Sequence, residues 1–147
     1  MDLLENTSYI SLLRKLIEDF PDWGKLDGKG VLISGAGGML GSLLADTLML
    51  RNEDVSPERR NRIFATGRNV AAAQARFRHW AGREDFPFFA HDVTEPLNRF
   101  PEKPDLLIHA ASTTHPAQYT GEPVNTILSN ILGTKHMLDA AAGVPGS

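Results

Sequence analysis

The sequence of 147 residues contains no cysteine. This absence excludes disulfide bonds, thiol nucleophiles and cysteine-ligated metals, and it fits a reducing compartment, so the expected location is the cytoplasm. The N-terminus lacks the basic start of a signal peptide, and no apolar run is long enough to span a bilayer. The net charge is -3, without the basic surplus typical of nucleic-acid binding. The expected partners therefore include neither a membrane nor a nucleic acid.

A glycine-rich stretch at residues 34–41 reads Ser-Gly-Ala-Gly-Gly-Met-Leu-Gly. It follows the apolar run 31–33 and precedes a helix-like stretch at 43–50. A strand, a glycine turn and a helix in this order are the context in which a glycine pattern predicts a dinucleotide site. Glycine permits a tight turn and the close approach of a pyrophosphate, and the following helix offers unpaired N–H groups.

Two glycine spacings compete in this stretch. G-x-x-G-x-x-G is complete, with Gly35, Gly38 and Gly41, whereas G-x-G-x-x-G starting at Gly35 needs a glycine or alanine at Leu40. The first spacing predicts that these three glycines, with Met39 and Leu40, bind the cofactor pyrophosphate. The alternative is an ordinary glycine-rich turn, which the flanking strand and helix signals disfavour.

Apolar runs alternate with helical patterns along the rest of the chain. Expected strands lie at 31–33, 63–66, 86–90 and 106–108, and expected helices at 3–20, 43–50, 70–80 and 122–142, with a polar loop at 51–62. The alternation predicts an α/β fold: a Rossmann-type, doubly wound parallel sheet truncated to about four strands, in the order 3-2-1-4, preceded by an N-terminal helix. We expect two parts, an amphipathic helix and turn at 1–27 and an incomplete NAD(P)-binding half-domain at 28–147.

Candidate binding residues follow the second and third strands. Arg68 occupies the region where an acidic residue usually holds the ribose hydroxyls of NAD, and its guanidinium favours the 2′-phosphate of NADP. Alternatively, Arg68 only stacks on adenine, which either cofactor allows. Asp92 could accept a hydrogen bond from the adenine amino group, with the Val93 backbone alongside; the alternative is a solvent-facing turn aspartate.

Small residues follow the fourth strand. Ala110, Ala111 and Ser112 leave room for a ribose and a nicotinamide against the backbone. His109, just before them, is expected to be a packed, hydrogen-bonded histidine rather than a proton donor. No grouping of histidine and acidic residues has the spacing of a metal site.

Four motifs, taken together, resemble the extended short-chain dehydrogenase/reductase family, the nucleotide-sugar epimerases and dehydratases. They are Ser34-Gly35-x-x-Gly38-x-x-Gly41, Asp92-Val93, His109-Ala110-Ala111-Ser112 and Glu122-Pro123-x-x-Thr126-x-x-x-Asn130-Ile131-x-Gly133-Thr134. The resemblance covers residues 28–142 and implies an NAD(P) cofactor, a nucleotide-sugar substrate and transient hydride transfer. Within the family, the segment 108–138 looks most like the 4,6-dehydratase and decarboxylase branch.

The family's Tyr-x-x-x-Lys acid/base pair has no match here. The position four residues after Tyr9 is Leu13, and the one four residues after Tyr119 is Pro123. The resemblance therefore implies an N-terminal fragment of a longer enzyme that holds most of the cofactor site, has no catalytic residue and is inactive alone. The alternative is a non-catalytic NAD(P)-binding regulatory module.

Two further expectations follow from this interpretation. The loop at 112–115 would face the sugar. Strand four would be an open sheet edge, which predicts a homodimer or edge-strand self-association.

Overall fold

A computed structural model of the protein describes residues 3–97, 102–112, 121 and 123–143. Its helices are α1 (Thr7–Asp19), α2 (Trp23–Leu26), α3 (Met39–Glu53), α4 (Val70–Arg76) and α5 (Pro123–Ala142), with 3₁₀ turns at Leu3–Glu5, Pro57–Arg59 and Arg78–Trp80. Its strands are β1 (Gly30–Ser34), β2 (Arg62–Gly67), β3 (Phe88–Ala90) and β4 (Leu106–His109).

The four strands form one parallel sheet in the order β3-β2-β1-β4. The predicted fold class and strand order are confirmed. In the register, Ile33 of β1 lies opposite Ala65 of β2 and Ile108 of β4. Every residue of β1 is buried, as expected for a central parallel strand covered on both faces. The chain places β2 and β3 on one side of β1 and then crosses to place β4 on the other side. The switch point of the sheet therefore lies between β1 and β4.

Each face of the sheet carries its own apolar core. The larger core joins one face of β1 and β2 to α3 and to the segment around Trp80, with Val31, Ile63 and Met49 fully buried. The smaller core lies on the opposite face, where Leu32 and Phe64 pack with Met137 of α5. Since successive strand residues point to opposite faces, the uninterrupted apolar runs in the sequence are explained by burial on both sides.

The N-terminal helix α1 packs on α3 and is joined to it by a buried acid. The side chain of Asp46 on α3 is fully buried and accepts hydrogen bonds from the Tyr9 hydroxyl at 2.7 Å and the Trp80 indole N–H at 2.8 Å. Arg76 forms an ion pair with the same carboxylate. Burial, together with the bond to Asp46, raises the pKa of Tyr9 to about 12.

Several expected helix boundaries were wrong. Helix α1 begins at Thr7 rather than at residue 3, and its cap is Asn6, whose side chain accepts from the N–H groups of Ser8 and Tyr9. Helix α3 extends through part of the expected polar loop, because Arg51 and Asn52 find buried polar partners. Arg51 pairs with Asp27, and the Asn52 side chain exchanges hydrogen bonds with the Asn61 backbone at 2.7 and 2.8 Å.

The third predicted strand and the helix before it are also shorter than expected. Helix α4 ends at Arg76 and is followed by a 3₁₀ turn, and β3 starts at Phe88 because Pro87 has no N–H to donate. The Pro87 carbonyl nevertheless accepts from Ala65 N–H at 3.0 Å. The division of the chain at residue 27 stays a prediction. Tyr119, Glu122 and the loop at 113–115 lie outside the described residues.

Within the described ranges, no helix is long and apolar enough to cross a membrane. The same part of the chain contains no group of three histidine or acidic side chains that could hold a metal ion.

Candidate functional site

The predicted binding residues meet at the carboxyl edge of the sheet. The glycine turn follows β1, Arg68 follows β2, Asp92 and Val93 follow β3, and the small residues 110–112 follow β4. Parallel strands end at the same edge, so the topology brings together positions that are far apart in sequence. The structure thus gathers these residues on one edge, while their roles in binding stay predictions.

The glycine turn packs directly against the end of β4. Gly35 has φ +68°, in the left-handed region, and a Cβ built on it would lie 2.6 Å from Ala111 Cα. A Cβ on Gly41 would lie 2.8 Å from Ala36 Cα. Neither position has room for a side chain. The backbone of the glycine-rich stretch therefore lies in direct contact with the end of β4 at Gly35 and with the first turn of α3 at Gly41.

The N-terminus of α3 forms the outer side of this turn. Gly38 caps the helix, and its N–H donates to the Gly35 carbonyl at 2.9 Å. The first bond of the helix runs from Ser42 N–H to Gly38 O, so the N–H groups of the three residues between them precede the helical ladder. Met39 and Leu40 are 83% and 62% exposed, and a Cβ on Gly37 would meet nothing within 4 Å. The turn therefore presents N–H groups and the positive end of a helix dipole to open space, the environment that a phosphate prefers.

Arg68 and Asp92 lie next to each other at the ends of β2 and β3. The Arg68 guanidinium is 3.9 Å from the Asp92 carboxylate, and it is largely exposed. Asp92 also accepts from Thr94, from its N–H at 3.0 Å and from its hydroxyl at 2.8 Å. The Thr94 N–H is the main cause that holds the pKa of Asp92 below its usual range, with Arg68 adding to the effect. Both side chains keep exposed polar atoms at the sheet edge.

The segment after β4 is held by backbone and side-chain bonds. The N–H of Ala110 donates to the Ser34 carbonyl at 3.0 Å, and the Ser112 hydroxyl donates to the Asn130 side-chain oxygen on α5 at 3.1 Å. No separate role for Asn130 is predicted from the sequence. Its place in the Asn-Ile-x-Gly-Thr motif was the signal that could have identified it.

His109 is packed between β1 and α5, as predicted. Its Nδ1 lies 2.7 Å from the Ser34 hydroxyl, and burial lowers the pKa of the ring. A Cβ on Gly133 of α5 would lie 3.1 Å from His109 Nε2 and equally close to a methyl group of Val93. The helix thus approaches β4 closely where it carries a glycine. On the same helix, His136 Nδ1 bonds the Val93 carbonyl at 3.0 Å, a contact that the sequence did not predict.

A separate cleft lies at the opposite edge of the sheet, away from the glycine turn. It has a volume of about 1140 Å³ and is lined by residues at the amino ends of the strands. Several of its charged side chains form ion pairs with one another, including Arg62 with Glu102 at 2.6 Å and Arg83 with Asp85 at 2.8 Å. This cleft does not coincide with the glycine turn, and its paired charges indicate a structural role.

The family model described as the NAD dependent epimerase/dehydratase family matches residues 31–145, from β1 to beyond the end of α5. The chain belongs to this family. The matched range contains the glycine turn and all the other predicted binding residues.

Curated relatives are UDP-glucuronic acid decarboxylases. UDP-glucuronic acid decarboxylase 1 of Danio rerio is 36% identical over 118 residues, which are 80% of this chain and 26% of the relative. UDP-glucuronic acid decarboxylase 5 of Arabidopsis thaliana is 35% identical over 114 residues, 78% of this chain and 30% of the relative. The chain therefore spans between a quarter and a third of the length of these relatives.

Solved structures share the fold. The dTDP-glucose 4,6-dehydratase DesIV of Streptomyces venezuelae, solved with NAD and TYD bound, has a TM-score of 0.64 and 19% identity, and the match covers 78% of this chain and 36% of DesIV. The UDP-Glc/GlcNAc 4-epimerase of Campylobacter jejuni has a TM-score of 0.57 and 21% identity, covering 80% and 35% of the two chains. At such identities the similarity describes the fold.

Proposed function

We propose that this chain forms the dinucleotide-binding portion of an NAD(P)-dependent enzyme that acts on a nucleotide sugar, of the dehydratase or decarboxylase kind. The observation that carries this proposal is the glycine turn at the switch point. Gly35 and Gly41 leave no room for a side chain, and the helix that follows offers unpaired N–H groups to open space. The UDP-glucuronic acid decarboxylases among the relatives support the nucleotide-sugar substrate and favour decarboxylation.

The residues at the carboxyl edge fit the parts of a dinucleotide. The N–H groups of residues 39–41 would hold the pyrophosphate, Asp92 and Val93 would border the adenine, and residues 110–112 would border the nicotinamide ribose. When bound, the nicotinamide ring supplies reversible hydride transfer. The chain's own contribution is to bind and orient, because its two tyrosines lack a lysine four residues further on.

The side chain of Arg68 favours NADP over NAD. The stretch 66–69 at the end of β2 reads Thr-Gly-Arg-Asn, so no carboxylate there could bind the two ribose hydroxyls of NAD. The guanidinium is exposed and lies 3.9 Å from the Asp92 carboxylate, too far for a short hydrogen bond. It is available for a 2′-phosphate, which it would bind with paired N–H groups.

Calorimetric titration of the chain with NAD⁺ and NADP⁺ tests this proposal. We expect both to bind, NADP⁺ more tightly, and Arg68→Ala to remove the difference, a loss of about tenfold in NADP⁺ affinity, equal to about 1.4 kcal/mol. Gly38→Val should abolish binding of both, because its side chain would fill the approach to the N–H groups.

Matched variants separate binding from folding in this experiment. Gly37→Val places its Cβ in open space, and Gly24→Ala does the same on α2, away from the site. Both should keep the thermal stability of the wild type, and only Gly37→Val should weaken binding. Binding of neither cofactor by the folded wild-type chain would refute the proposal, and equal affinities for both cofactors would refute the role of Arg68.

A non-catalytic NAD(P)-binding module is the second candidate, favoured by the missing Tyr-x-x-x-Lys pair. Neither candidate predicts turnover by this chain alone, so the gene distinguishes them. A reading frame that continues past Ser147 into a Tyr-x-x-x-Lys pair would support the enzyme portion, whereas a stop codon directly after Ser147 would support the binding module.

The proposal extends to assembly and location. Among the described strands, β4 lies at the sheet edge, and Leu106 on it is 39% exposed. An open edge of this kind favours pairing with a second copy. The absence of cysteine supports a cytoplasmic location.

A further inference from the structure

His109 connects three elements that meet beneath the glycine turn. It is the last residue of β4, its Nδ1 lies 2.7 Å from the Ser34 hydroxyl at the end of β1, and its ring lies against α5 at Gly133. Ser34 is fully buried. The ring therefore connects the ends of the two strands that flank the switch point.

The residues that follow Ser34 and His109 in the sequence belong to the proposed cofactor site. Gly35 follows Ser34, and Ala110 and Ala111 follow His109. The backbones of these two segments are in contact, because a Cβ on Gly35 would lie 2.6 Å from Ala111 Cα and 2.8 Å from the Ala110 carbonyl carbon. A shift of the His109 ring away from Ser34 would therefore be passed directly to the position of Gly35.

The ring is placed where a positive charge is disfavoured. Burial lowers the pKa of His109, so the neutral form predominates at neutral pH. One side of the ring opens on a cleft of about 530 Å³ between β4 and α5, lined mostly by apolar side chains. Protonation would bring a charge between β1 and α5, and separation of these elements would let water solvate it.

Other titratable and charged groups lie on the segments that neighbour the ring. They are His136, Lys135 and Asp139 on α5, His91, Asp92 and Glu95 after β3, and Lys103 and Asp105 before β4. Lys135 is paired with Asp139 and Asp105 with Lys29. Burial lowers the pKa of His91 as well, so any pH effect must be assigned by substitution of each histidine in turn.

We infer that His109 is a positioning residue of the proposed cofactor site, and this inference rests on the proposed function. In its neutral form it holds Ala110 and Ala111 against Gly35 through Ser34 and Gly133. Its protonation releases this contact and weakens cofactor binding. The contribution of a buried neutral histidine is present above its unfolded pKa and is lost as the pH falls through its lower folded pKa.

Titration of the chain with NAD⁺ from about pH 7.5 to about pH 5 tests the inference, because the pyrophosphate charge of NAD⁺ stays constant there. We expect the Kd of the wild type to rise roughly threefold or more as the competent population falls. His109→Asn keeps a polar atom near the Nδ1 position without titrating, so its affinity for NAD⁺ should not depend on pH over this range. His109→Leu should bind weakly at every pH, and Ser34→Ala, which barely changes the volume, serves if that variant does not fold.

Two control variants assign the effect. His91→Asn and His136→Asn should keep the wild-type pH dependence. If either of them removes it, or if His109→Asn retains it, the inference is wrong. Binding by His109→Leu, or by Ser34→Ala in its place, as tight as that of the wild type would also overturn it.

A measurement without cofactor keeps this inference separate from the proposed function. In the NMR spectrum of the free chain, the amide signals of Gly35 and Ala111 should shift with the titration of the His109 ring, and His109→Asn should abolish that shift. Failure of the wild type to bind either cofactor would refute the proposed function alone. Amide signals that do not follow the ring would refute the role of His109.

Discussion

Substitution of Gly35 by alanine should destabilise the protein through two separable effects. The residue has φ +68°, and a left-handed backbone costs an L-residue about 1–2 kcal/mol. The new Cβ would also lie 2.6 Å from Ala111 Cα and 2.7 Å from its N, which are backbone atoms and cannot rotate away. Such overpacking costs about 1–3 kcal/mol, so the free energy of unfolding should fall by about 2–5 kcal/mol.

Gly82 and Gly24 provide matched controls for these two effects. Gly82 has φ +79°, but a Cβ there meets nothing within 4 Å, so Gly82→Ala should cost only the backbone term of about 1–2 kcal/mol. Gly24 has neither a left-handed backbone nor a close neighbour, and Gly24→Ala should change stability by less than about 0.5 kcal/mol. The difference between the Gly35 and Gly82 variants measures the contact between the turn and β4.

Urea unfolding followed by far-UV circular dichroism gives the three free energies, and thermal melts should show a fall of roughly 5–15 °C for Gly35→Ala. If Gly35→Ala destabilises the protein no more than Gly82→Ala does, the backbones of Gly35 and Ala111 are not in contact. The close packing of the glycine turn against the end of β4, on which the cofactor proposal rests, would then be refuted.

Two further predictions concern the N-terminal helix and the sheet edge. Asp46→Asn should lower the free energy of unfolding by about 3 kcal/mol, because it breaks the buried ion pair with Arg76. Asp54→Asn breaks only the exposed pair with Arg14 and should lower it by less than about 1 kcal/mol. Equal losses of the two variants in urea unfolding would contradict this prediction. Leu106→Lys should shift light-scattering masses toward the monomer by charging the β4 edge. Val124→Lys, on the exposed face of α5, should leave the association unchanged. Edge pairing would be contradicted if Val124→Lys rather than Leu106→Lys lowered the mass, or if the wild type were monomeric at high concentration.

Helix ends and polar contacts depended on partners that local sequence does not reveal. Asn6 rather than Thr7 caps α1, and both are good capping residues, so only the path of the backbone decides between them. The polar pattern after residue 50 predicted a loop, yet Arg51 and Asn52 are buried on α3 because Asp27 and Asn61 come to them from other segments. Propensity is a weak guide where tertiary partners are available.

The sequence by itself determined the order of the strands and the place of the glycine turn, because alternating apolar runs and a local glycine spacing do not depend on distant residues. Only the tertiary structure decided what the turn rests on. Ser34 and His109 are 75 residues apart, and parallel pairing of β1 with β4 brings them within 2.7 Å. The same pairing sets Gly35 against Ala111, so the requirement for glycine at position 35 arises from a neighbouring strand as well as from the turn itself.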